Sequence, residues 1–421
     1  MRVLLTTWAW PSHLYPMVPL GWALQAAGHE VRVAVAPGLT ETADAAGLCA
    51  VPLAEEPDLT ATGAVAGLRS WHVQPRWTCD WHGRPHLLTS EQREMYEALG
   101  EKQIRTAEAM VDGLVGYARS WGPDLIVHDA ITFAAQVAGA VTDVPTVGTL
   151  WGNIAVPRHE RNLFTGEPVE GYRRLFERFG VPPRPDPVAW IDPCPPRMRL
   201  PSAEPRLDCR YVPYNGRGGV PPWLRDPPEA TGLPRICVTW GITAGRTKAS
   251  AVPDVFDDVV AAVAALARDI EIEVVFAVAP AQLDRLGALP PRTRVASSLP
   301  LHLLLPSCSA IVHQGGGGTT MTALASGTPQ LVISPRPEQM MTGDRLEQLG
   351  AGRHLVRIEL AGEPRTAAET IRAALFDLLN RPSYRENAER LRADILDLPT
   401  PADLVPELVK VAGRAPSGVA R

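Results

Sequence analysis

Four successive glycines, Gly315 to Gly318, constrain the fold of this chain more strongly than any other stretch. A short apolar run over residues 309–312 precedes them and predicts a buried strand. Thr319 and Thr320 follow, at positions where a hydroxyl side chain favours the start of a helix. A second apolar run over residues 330–334 predicts another strand. The stretch therefore predicts strand, glycine loop, helix and strand, which is one unit of a parallel α/β sheet.

The glycine loop has the chemistry of a phosphate-binding site. Glycine lets the backbone approach a ligand because no Cβ stands in the way, and the free N–H groups of a helix N-terminus attract phosphate. A tight turn without a ligand is the alternative, although four glycines are costly for a turn alone. No GxGxxG follows the first strand and no GxxxxGK[ST] occurs, so neither usual nucleotide motif applies. We expect a diphosphate to bind late in the chain and another ligand to bind early.

The composition is that of a globular protein with two domains. A length of 421 residues suggests the two domains, and a net charge of −5 argues against nucleic acid as the main partner. The cysteines are scattered without a CxxC pair, so neither a zinc site nor a disulfide framework is expected. No stretch reaches the roughly 18 apolar residues of a membrane span, and the first apolar run is too short for a signal peptide. These features predict a cytoplasmic protein.

The start of the chain predicts a βαβ unit with a histidine at its ligand-binding edge. Apolar runs over residues 2–7 and 30–36 predict strands, and the apolar spacing over residues 17–27 predicts a helix between them. His13 lies in the loop after the first strand, and open parallel sheets bind ligands at the carboxyl ends of their strands. The near-neutral pKa of histidine suits a general base that takes a proton from a hydroxyl. A loop histidine bonded only to its neighbours is the alternative.

An aspartate ends a strand further along the same sheet. Apolar spacing predicts a long helix over residues 90–121, and an apolar run predicts a strand over residues 123–129. Asp129 ends this strand and therefore lies on the same sheet edge as His13. A cap for the following helix is one interpretation of Asp129.

Aromatic residues are concentrated in a poorly patterned segment, residues 71–82, which holds three tryptophans and two histidines. Long loops dense in aromatic side chains are often binding surfaces, and flat apolar walls suit a large hydrophobic ligand. A small local core under the loop is the alternative. The histidines lack the spacing of a metal site. The candidate wall consists of the tryptophans Trp8, Trp71, Trp77, Trp81 and Trp151.

Several motifs together resemble those of one enzyme family. They are His313-Gln314 before the glycines, Gly327-Thr-Pro-Gln, Pro337-Glu-Gln, Leu349-Gly-Ala-Gly, Ser12 to Val31 and Arg210 to Gly216. The chain resembles family 1 GT-B glycosyltransferases, and most closely the actinobacterial type that decorates polyketide antibiotics such as macrolides. The resemblance spans nearly the whole chain, and its combination of motifs is specific.

The resemblance implies a GT-B fold, an α/β architecture in which two Rossmann-like βαβ domains face each other across a cleft. Residues 1–215 would form the acceptor-binding domain, and residues 235–400 the nucleotide-sugar-binding domain. Residues 216–234, rich in glycine and proline, would form the linker between them. Residues 401–421 would form a C-terminal tail that packs back on the first domain.

The resemblance also implies roles for individual residues. His13 matches the catalytic base, and Asp129 matches an aspartate that orients this histidine in plant members. Glu338 and Gln339 match an acid–amide pair that binds the donor sugar, although Glu338 could instead stabilise a helix N-terminus. The five tryptophans would line the acceptor site. The expected donor-binding residues are Thr243, His313, Gln314, Gly315, Gly316, Gly317, Gly318, Thr319, Thr320, Glu338 and Gln339.

One residue departs from the family pattern. Members of the family usually carry a histidine immediately before the glycines, aimed at the diphosphate, whereas this chain has Gln314 there. A glutamine donates only a neutral hydrogen bond, and a charge-assisted bond is about twice as strong. Stabilisation of the leaving group is therefore expected to depend more on backbone amides and on Thr319.

The function implied is an inverting, metal-independent transfer of a sugar from a nucleoside diphosphate to a hydroxyl of a hydrophobic polyketide. The resemblance favours a TDP-linked deoxysugar over a UDP-sugar, with no further cofactor and no metal. Transfer to carbon or nitrogen, a sugar-nucleotide epimerase and a non-catalytic helper of another transferase are the alternatives. An auxiliary activator protein and a homodimer stay open as partners, and no nucleic acid or membrane partner is expected.

Overall fold

Two parallel β-sheets form the frame of the computed structural model. The structure describes residues 1–53, 55–58, 65–68, 70–71, 74–225, 232–241, 255–297, 299–362 and 366–413. The first sheet has seven strands in the order β3-β2-β1-β4-β5-β6-β7, and the second has six in the order β10-β9-β8-β11-β12-β13. The prediction of two Rossmann-like α/β units is therefore confirmed.

The strands of the first sheet are β1 (Arg2–Thr6), β2 (Glu30–Val35), β3 (Cys49–Pro52), β4 (Leu125–Asp129), β5 (Thr146–Thr149), β6 (Trp190–Asp192) and β7 (Arg206–Asp208). The helices that accompany it are α1 (Pro11–Leu14), α2 (Val18–Ala26), α3 (Thr40–Ala45), α4 (Ser90–Trp121), α5 (Ala134–Thr142) and α6 (Glu170–Glu177).

The strands of the second sheet are β8 (Arg235–Val238), β9 (Glu273–Phe276), β10 (Thr293–Val295), β11 (Ala310–His313), β12 (Gln330–Ser334) and β13 (Gly352–Val356). The helices of this half are α7 (Phe256–Asp269), α8 (Leu301–Leu304), α9 (Gly317–Ala325), α10 (Pro337–Gln348), α11 (Ala367–Asn380), α12 (Pro382–Leu396) and α13 (Pro401–Ala412).

Helix α4 illustrates how local sequence sets the ends of an element. The Thr89 hydroxyl accepts a hydrogen bond from the Gln92 N–H, and the Gln92 side chain accepts one from the Thr89 N–H. This capping box satisfies two N–H groups that a helix start would otherwise leave unpaired. The helix ends at Gly122, whose φ of 63° is a left-handed conformation that favours glycine. The helix predicted over residues 90–121 is confirmed.

Both sheets are covered by apolar layers on each side, as parallel sheets require. Successive side chains of β1 alternate between the two layers. Val3 and Leu5 pack with helix α2, whereas Leu4 packs on the opposite face with the buried side of α4. In the second sheet, Val238 packs with helices α7 and α11. This packing makes the sheets rigid supports for the loops at their carboxyl ends.

The strand order reverses between β1 and β4 in the first sheet and between β8 and β11 in the second. Crevices form at such switch points because the loops on either side leave in opposite directions, and ligands bind there. His13 follows β1 and Asp129 ends β4, so both lie at the first switch point. The glycine loop follows β11 and lies at the second.

The segment after residue 400 is a helix rather than a tail. Helix α13 buries Leu404, Val405 and Leu408 in the core of the first half of the chain, beside helix α2. The crossing is fixed by Arg210, whose backbone N–H donates to the Pro399 carbonyl at 2.6 Å and whose guanidinium donates to two further carbonyls. Residues 414–421 lie outside the described part of the chain.

No helix in the described part of the chain is long and apolar enough to cross a membrane.

We predict that α13 contributes substantially to the stability of the first half of the chain. Leu408 is fully buried, so Leu408→Ala should lower the free energy of unfolding by about 2–5 kcal/mol. The adjacent Val409 is 43% exposed, so Val409→Ala should change the free energy of unfolding by no more than about 0.5 kcal/mol. Urea unfolding followed by tryptophan fluorescence measures both. Equal effects of the two substitutions would show that α13 does not pack on this core.

Candidate active site

The carboxyl ends of the two sheets border a cleft that contains a cavity of about 640 Å³. Residues from both halves of the chain line it. His13 and Trp151 contribute from the first half, and the glycine loop and Glu338 contribute from the second. Residues that the sequence places about 300 positions apart are thus brought to one cavity.

His13 is held between two indole rings. It lies in the single turn α1, and its backbone N–H donates to the Trp10 carbonyl at 3.0 Å. The centroid of its ring is 4.3 Å from that of Trp151 and 5.5 Å from that of Trp8, which it meets edge-on. Only 12% of the His13 side chain is exposed. The imidazole is therefore positioned by packing and reaches only the cavity.

Asp129 divides its two carboxylate oxygens between two tasks. Its Oδ1 accepts a hydrogen bond from the Ile131 N–H at 2.8 Å, which stabilises the turn after β4. Its Oδ2 accepts one from the Thr7 hydroxyl and lies 3.7 Å from Nδ1 of His13. The next helix begins at residue 134 with Phe133 at its N-cap, so Asp129 does not cap it. The helix-cap interpretation is wrong, because Asp129 Oδ1 instead accepts the hydrogen bond from the Ile131 N–H in the turn before that helix.

The surroundings of His13 keep its ring neutral. Burial lowers its pKa below the ordinary value, the charge of Asp129 opposes this shift, and the charge of Lys102 adds to it. A neutral imidazole is the form that accepts a proton. The Nδ1 atom is buried and has no hydrogen-bond partner among the described residues. The 3.7 Å between His13 Nδ1 and Asp129 Oδ2 exceeds hydrogen-bond length. A small movement of the ring would bring the two atoms within hydrogen-bond distance.

The glycine loop enters its helix earlier than the sequence predicts. Gly315 has a φ of 84°, a left-handed conformation that favours glycine, and Gly316 is the N-cap of α9. Thr319 and Thr320 are therefore inside the first turn, and their predicted place at the helix start is wrong. The glycines adopt the helical conformation themselves, so no side chain caps the first N–H groups. Those groups remain available to an anionic ligand.

Space and close contact alternate along this loop. A Cβ at Gly316 or Gly318 would meet nothing within 4 Å, which leaves room for a ligand. A Cβ at Gly317 would lie 2.7 Å from the Trp151 carbonyl oxygen, closer than real Cβ atoms come. Similarly, Gly152 has a φ of 104° and packs on Met321. Glycine is thus required at position 317 because the loops after β5 and β11 touch there.

His313 supports the glycine loop from inside the protein. It is 1% exposed, its Nδ1 accepts a hydrogen bond from the Gly315 N–H at 3.0 Å, and its Nε2 donates to Gln330 Oε1 at 2.9 Å. Burial lowers its pKa to about 4, so the ring is neutral. Both ring nitrogens are therefore engaged within the protein, although His313 also lines the cavity. A direct contact of His313 with the donor stays a prediction.

The remaining predicted donor residues divide into two groups. Gln314, Gly315 to Gly318 and Thr319 line the cavity, whereas Thr320 is 1% exposed and does not. Thr243 lies outside the described residues.

The start of α10 presents polar atoms that the protein leaves unsatisfied. Within the described part of the chain, Glu338 Oε2, Gln339 Oε1 and Arg336 Nε are buried without a hydrogen-bond partner. Burial raises the pKa of Glu338, while the charges of Arg336 and Lys102 oppose this. Gln339 packs directly against the glycine loop, since a Cβ at Gly315 would lie 3.2 Å from Gln339 Cβ. Unsatisfied buried polar atoms are costly, and a polar ligand would satisfy them.

All five predicted tryptophans line the cavity, but Trp8, Trp77 and Trp81 also belong to the core. Trp77 and Trp81 are 2% and 3% exposed and pack with residues of the second half such as Met340. The local-core interpretation of this segment therefore holds for Trp77 and Trp81, and its binding of an acceptor stays a prediction. The Trp81 Nε1–H group is buried and has no hydrogen-bond acceptor among the described residues. It is therefore available to donate a hydrogen bond to a ligand.

The aromatic segment is attached to the second half of the chain. Arg76 forms ion pairs with Asp344 and Glu359. Asp344 lies 2.6 Å from His354 Nδ1, and the other ring nitrogen of His354 bonds to Ser334 at 2.6 Å. This chain of contacts holds the wall of the predicted acceptor site against the predicted donor domain.

Two further histidines line the cavity beside this wall. Burial lowers the pKa of His82 to about 4 and that of His159 to about 3. Both are therefore neutral. Among the described residues, no group of three or more His, Cys, Asp or Glu side chains could hold a metal ion.

Sequence reasoning missed several residues of the cavity, and a signal existed for some. Lys102 lies three residues after Leu99 and seven after Met95, so it occupies the buried side of α4, where a lysine is unusual. Tyr211 donates to the Gly318 carbonyl at 3.3 Å, and Asn215 donates to Thr322 at 3.1 Å. Both belong to the Arg210 to Gly216 motif. The contacts by which this motif joins the two halves of the chain leave no periodic pattern in the sequence.

Two Rossmann-like domains that face one cleft, with a phosphate-type loop on one side and a buried histidine–carboxylate pair on the other, define a GT-B glycosyltransferase. Two family models match the chain. The N-terminal domain of the erythromycin biosynthesis protein CIII-like family matches residues 22–241, and its C-terminal domain matches residues 260–411. The chain belongs to this family of glycosyltransferases.

Individual relatives agree with this assignment. The TDP-daunosamine transferase DnrS of Streptomyces peucetius is 37% identical, and the alignment covers 99% of each chain. The tylactone mycaminosyltransferase of Streptomyces fradiae is 35% identical over 100% of this chain and 94% of its own. Among solved structures, glycosyltransferase VinC in complex with DTDP superposes with a TM-score of 0.76 at 32% identity, covering 98% of this chain and 99% of its own.

We predict opposite effects of adding one methyl group at adjacent glycines. Gly317→Ala should lower the free energy of unfolding by about 1–3 kcal/mol, because backbone atoms at Trp151 would have to move. The methyl group of Gly318→Ala would meet no atom within 4 Å, and alanine favours a helix more than glycine does. This substitution should therefore raise the free energy of unfolding by up to about 1 kcal/mol. Urea unfolding of both variants tests this. If Gly317→Ala were as stable as Gly318→Ala, the close approach of the two loops would be refuted.

Proposed function

We propose that this protein transfers a deoxysugar from thymidine diphosphate to a hydroxyl of a polyketide aglycone, with inversion at the anomeric carbon. The observation that carries the proposal is the shared cavity, which places a neutral buried histidine opposite a glycine-rich helix N-terminus. The names of the relatives support both substrates, since one transfers TDP-daunosamine and another acts on tylactone.

In this proposal His13 is the general base. Its Nδ1 is the ring nitrogen near Asp129, so Nε2 is left to take the proton of the acceptor hydroxyl. As the ring becomes positively charged, the carboxylate of Asp129 stabilises it and fixes its tautomer. Thr7 in turn holds that carboxylate through its hydroxyl. Asp129 and Thr7 are positioning residues, and the freed alkoxide attacks the anomeric carbon.

The diphosphate leaves toward the glycine loop. The uncapped N–H groups at the start of α9 and the positive end of its dipole stabilise the developing charge. We propose that these groups act without a metal ion, which agrees with the absence of a DxD triplet from the sequence. Gln314 lines the same space and adds a neutral hydrogen bond, in place of the histidine that the family pattern places there.

The aromatic wall is proposed to bind the aglycone, and the start of α10 to bind the sugar. Tryptophan rings give a large apolar surface, with isolated N–H donors such as Trp81 Nε1 for oxygen atoms of a polyketide. Glu338 Oε2 and Gln339 Oε1 are acceptors for sugar hydroxyls. A non-catalytic helper is disfavoured, because such a protein would not need the buried base and its carboxylate partner.

We predict that His13→Ala lowers the turnover for transfer by at least about 100-fold, because general-base catalysis contributes about 10²–10⁴-fold. Transfer is measured from a TDP-deoxysugar to an accepted member of a polyketide aglycone panel that includes tylactone. The affinity for TDP should change by less than about threefold, since the groups proposed to bind the diphosphate belong to the glycine loop and to the start of α9. His86→Ala, at an exposed position outside the cavity, is the control. Full activity of His13→Ala would refute the assignment of the base.

A further inference from the structure

Lys102 brings a positive charge into the middle of the cleft. It is one of only three lysines in the sequence, and it lines the cavity from the buried side of α4. Its Nζ lies 5.4 Å from the centroid of the Trp8 ring, where the electron-rich face attracts a cation. Within the described part of the chain no carboxylate oxygen lies within 4.0 Å of this ammonium.

Lys102 lines the same cavity as His13 and Glu338, and the Trp8 ring that it faces is 5.5 Å from the ring of His13. Its charge acts on both His13 and Glu338. Burial lowers the pKa of Lys102, the charge of Arg336 lowers it further, and that of Glu338 opposes both. In the proposed function the anomeric carbon lies between His13 and the glycine loop. The ring of the transferred sugar then occupies the cavity that Lys102 also lines.

The charged side chains that line the cavity sum to a positive value, since among the described lining residues they are Lys102, Arg217, Arg336 and Glu338. Asp129 lies behind His13 and does not line it. Glu338 is therefore the one carboxylate of the lining, and its Oε1 is already 3.7 Å from Arg336 Nη1. Lys102 and Arg336 together outweigh it by one positive charge. A cation placed here would be repelled, and at an effective dielectric constant of about 20 one such charge at a distance of about 5 Å changes binding by at least about tenfold.

We propose that Lys102 is a specificity-determining residue that selects a donor sugar without a basic amine. The proposal rests on the proposed function, because it concerns the sugar end of the TDP-sugar site. Hydroxyl, ether or carbonyl oxygens on the sugar accept hydrogen bonds from Lys102 and Arg336, whereas an ammonium group on the same ring carbons meets two cations and one partly neutralised carboxylate. This selection distinguishes the chain from a transferase of amine-bearing sugars.

The test compares donors that differ only in charge. Calorimetry near pH 7 measures the affinity of the full-length protein for TDP, for TDP-6-deoxyglucose, and for its 3-amino and 4-amino analogues, which carry an ammonium group in place of one hydroxyl. Each affinity for a sugar is divided by that of the same variant for TDP. The wild-type protein should bind the neutral donor at least about tenfold more tightly than either amine. Equal binding, or tighter binding of an amine, would overturn the proposal.

Variants separate charge from structure. Lys102→Gln removes the charge but keeps a polar side chain, and should reduce the preference for the neutral donor to less than about threefold. Lys102→Arg keeps the charge and should keep the preference. Lys410→Gln, which removes a lysine paired with Glu407 on helix α13, is the control and should also keep it. A preference that persists unchanged in Lys102→Gln would show that another group discriminates.

The proposed function and this proposal fail in different ways. Loss of all TDP binding in the wild-type protein would refute the nucleotide site and both proposals with it. Normal TDP binding with no discrimination between neutral and amine-bearing sugars would refute only the role of Lys102.

Discussion

The close approach of Trp151 to Gly317 is the contact on which the rest of the site depends. The Trp151 ring packs on His13 at 4.3 Å, and its backbone oxygen occupies the space that a Cβ at Gly317 would need. One residue therefore connects His13 at the first sheet to the helix N-terminus at the second. A side chain at Gly317 would force the two loops apart and would displace the proposed base from the proposed diphosphate site.

Rigidity around this contact comes from connections that run between the two halves of the chain. Arg210 holds the segment before α13, Tyr211 and Asn215 bond to helix α9, and Arg76 ties the aromatic segment to α10 and the strand beside it. Buried, directional contacts of this kind fix orientation because each polar group must find its partner. The cleft is thus held together by residues to which the proposed mechanism assigns no step.

Periodicity and motif spacing were sufficient to predict the parallel sheets, helix α4 and the glycine loop. Each of these is determined by neighbours in sequence, either through alternating burial or through a backbone conformation that only glycine adopts readily. The start of α9 was predicted two residues late, because propensity favours Thr319 at a helix start whereas the glycines form the first turn themselves. The hydrogen bond of His313 to Gln330 could not be predicted, because it depends on the pairing of the two neighbouring strands.

The charge distribution of the cleft could not be predicted, because it arises from tertiary contacts. Lys102 and Glu338 are far apart in sequence, and only the facing of the two domains brings them to the same cavity. In the same way, α13 has an ordinary amphipathic sequence, and its burial against α2 follows from where the chain crosses back. Local conformation can be predicted from neighbouring residues in the sequence. The electrostatics of the site depend on tertiary contacts between distant segments.

The most direct test of the account is calorimetric titration of the protein with TDP and with UDP in a metal-free buffer that contains EDTA. If the glycine loop and the start of α9 form the donor site, TDP should bind in the micromolar range. The proposed TDP-linked donor further predicts that TDP binds more tightly than UDP. Added Mg²⁺ should not change either affinity, because the N–H groups of the helix N-terminus meet the diphosphate charge. Absence of binding by either nucleotide, or binding only with Mg²⁺ present, would contradict the account.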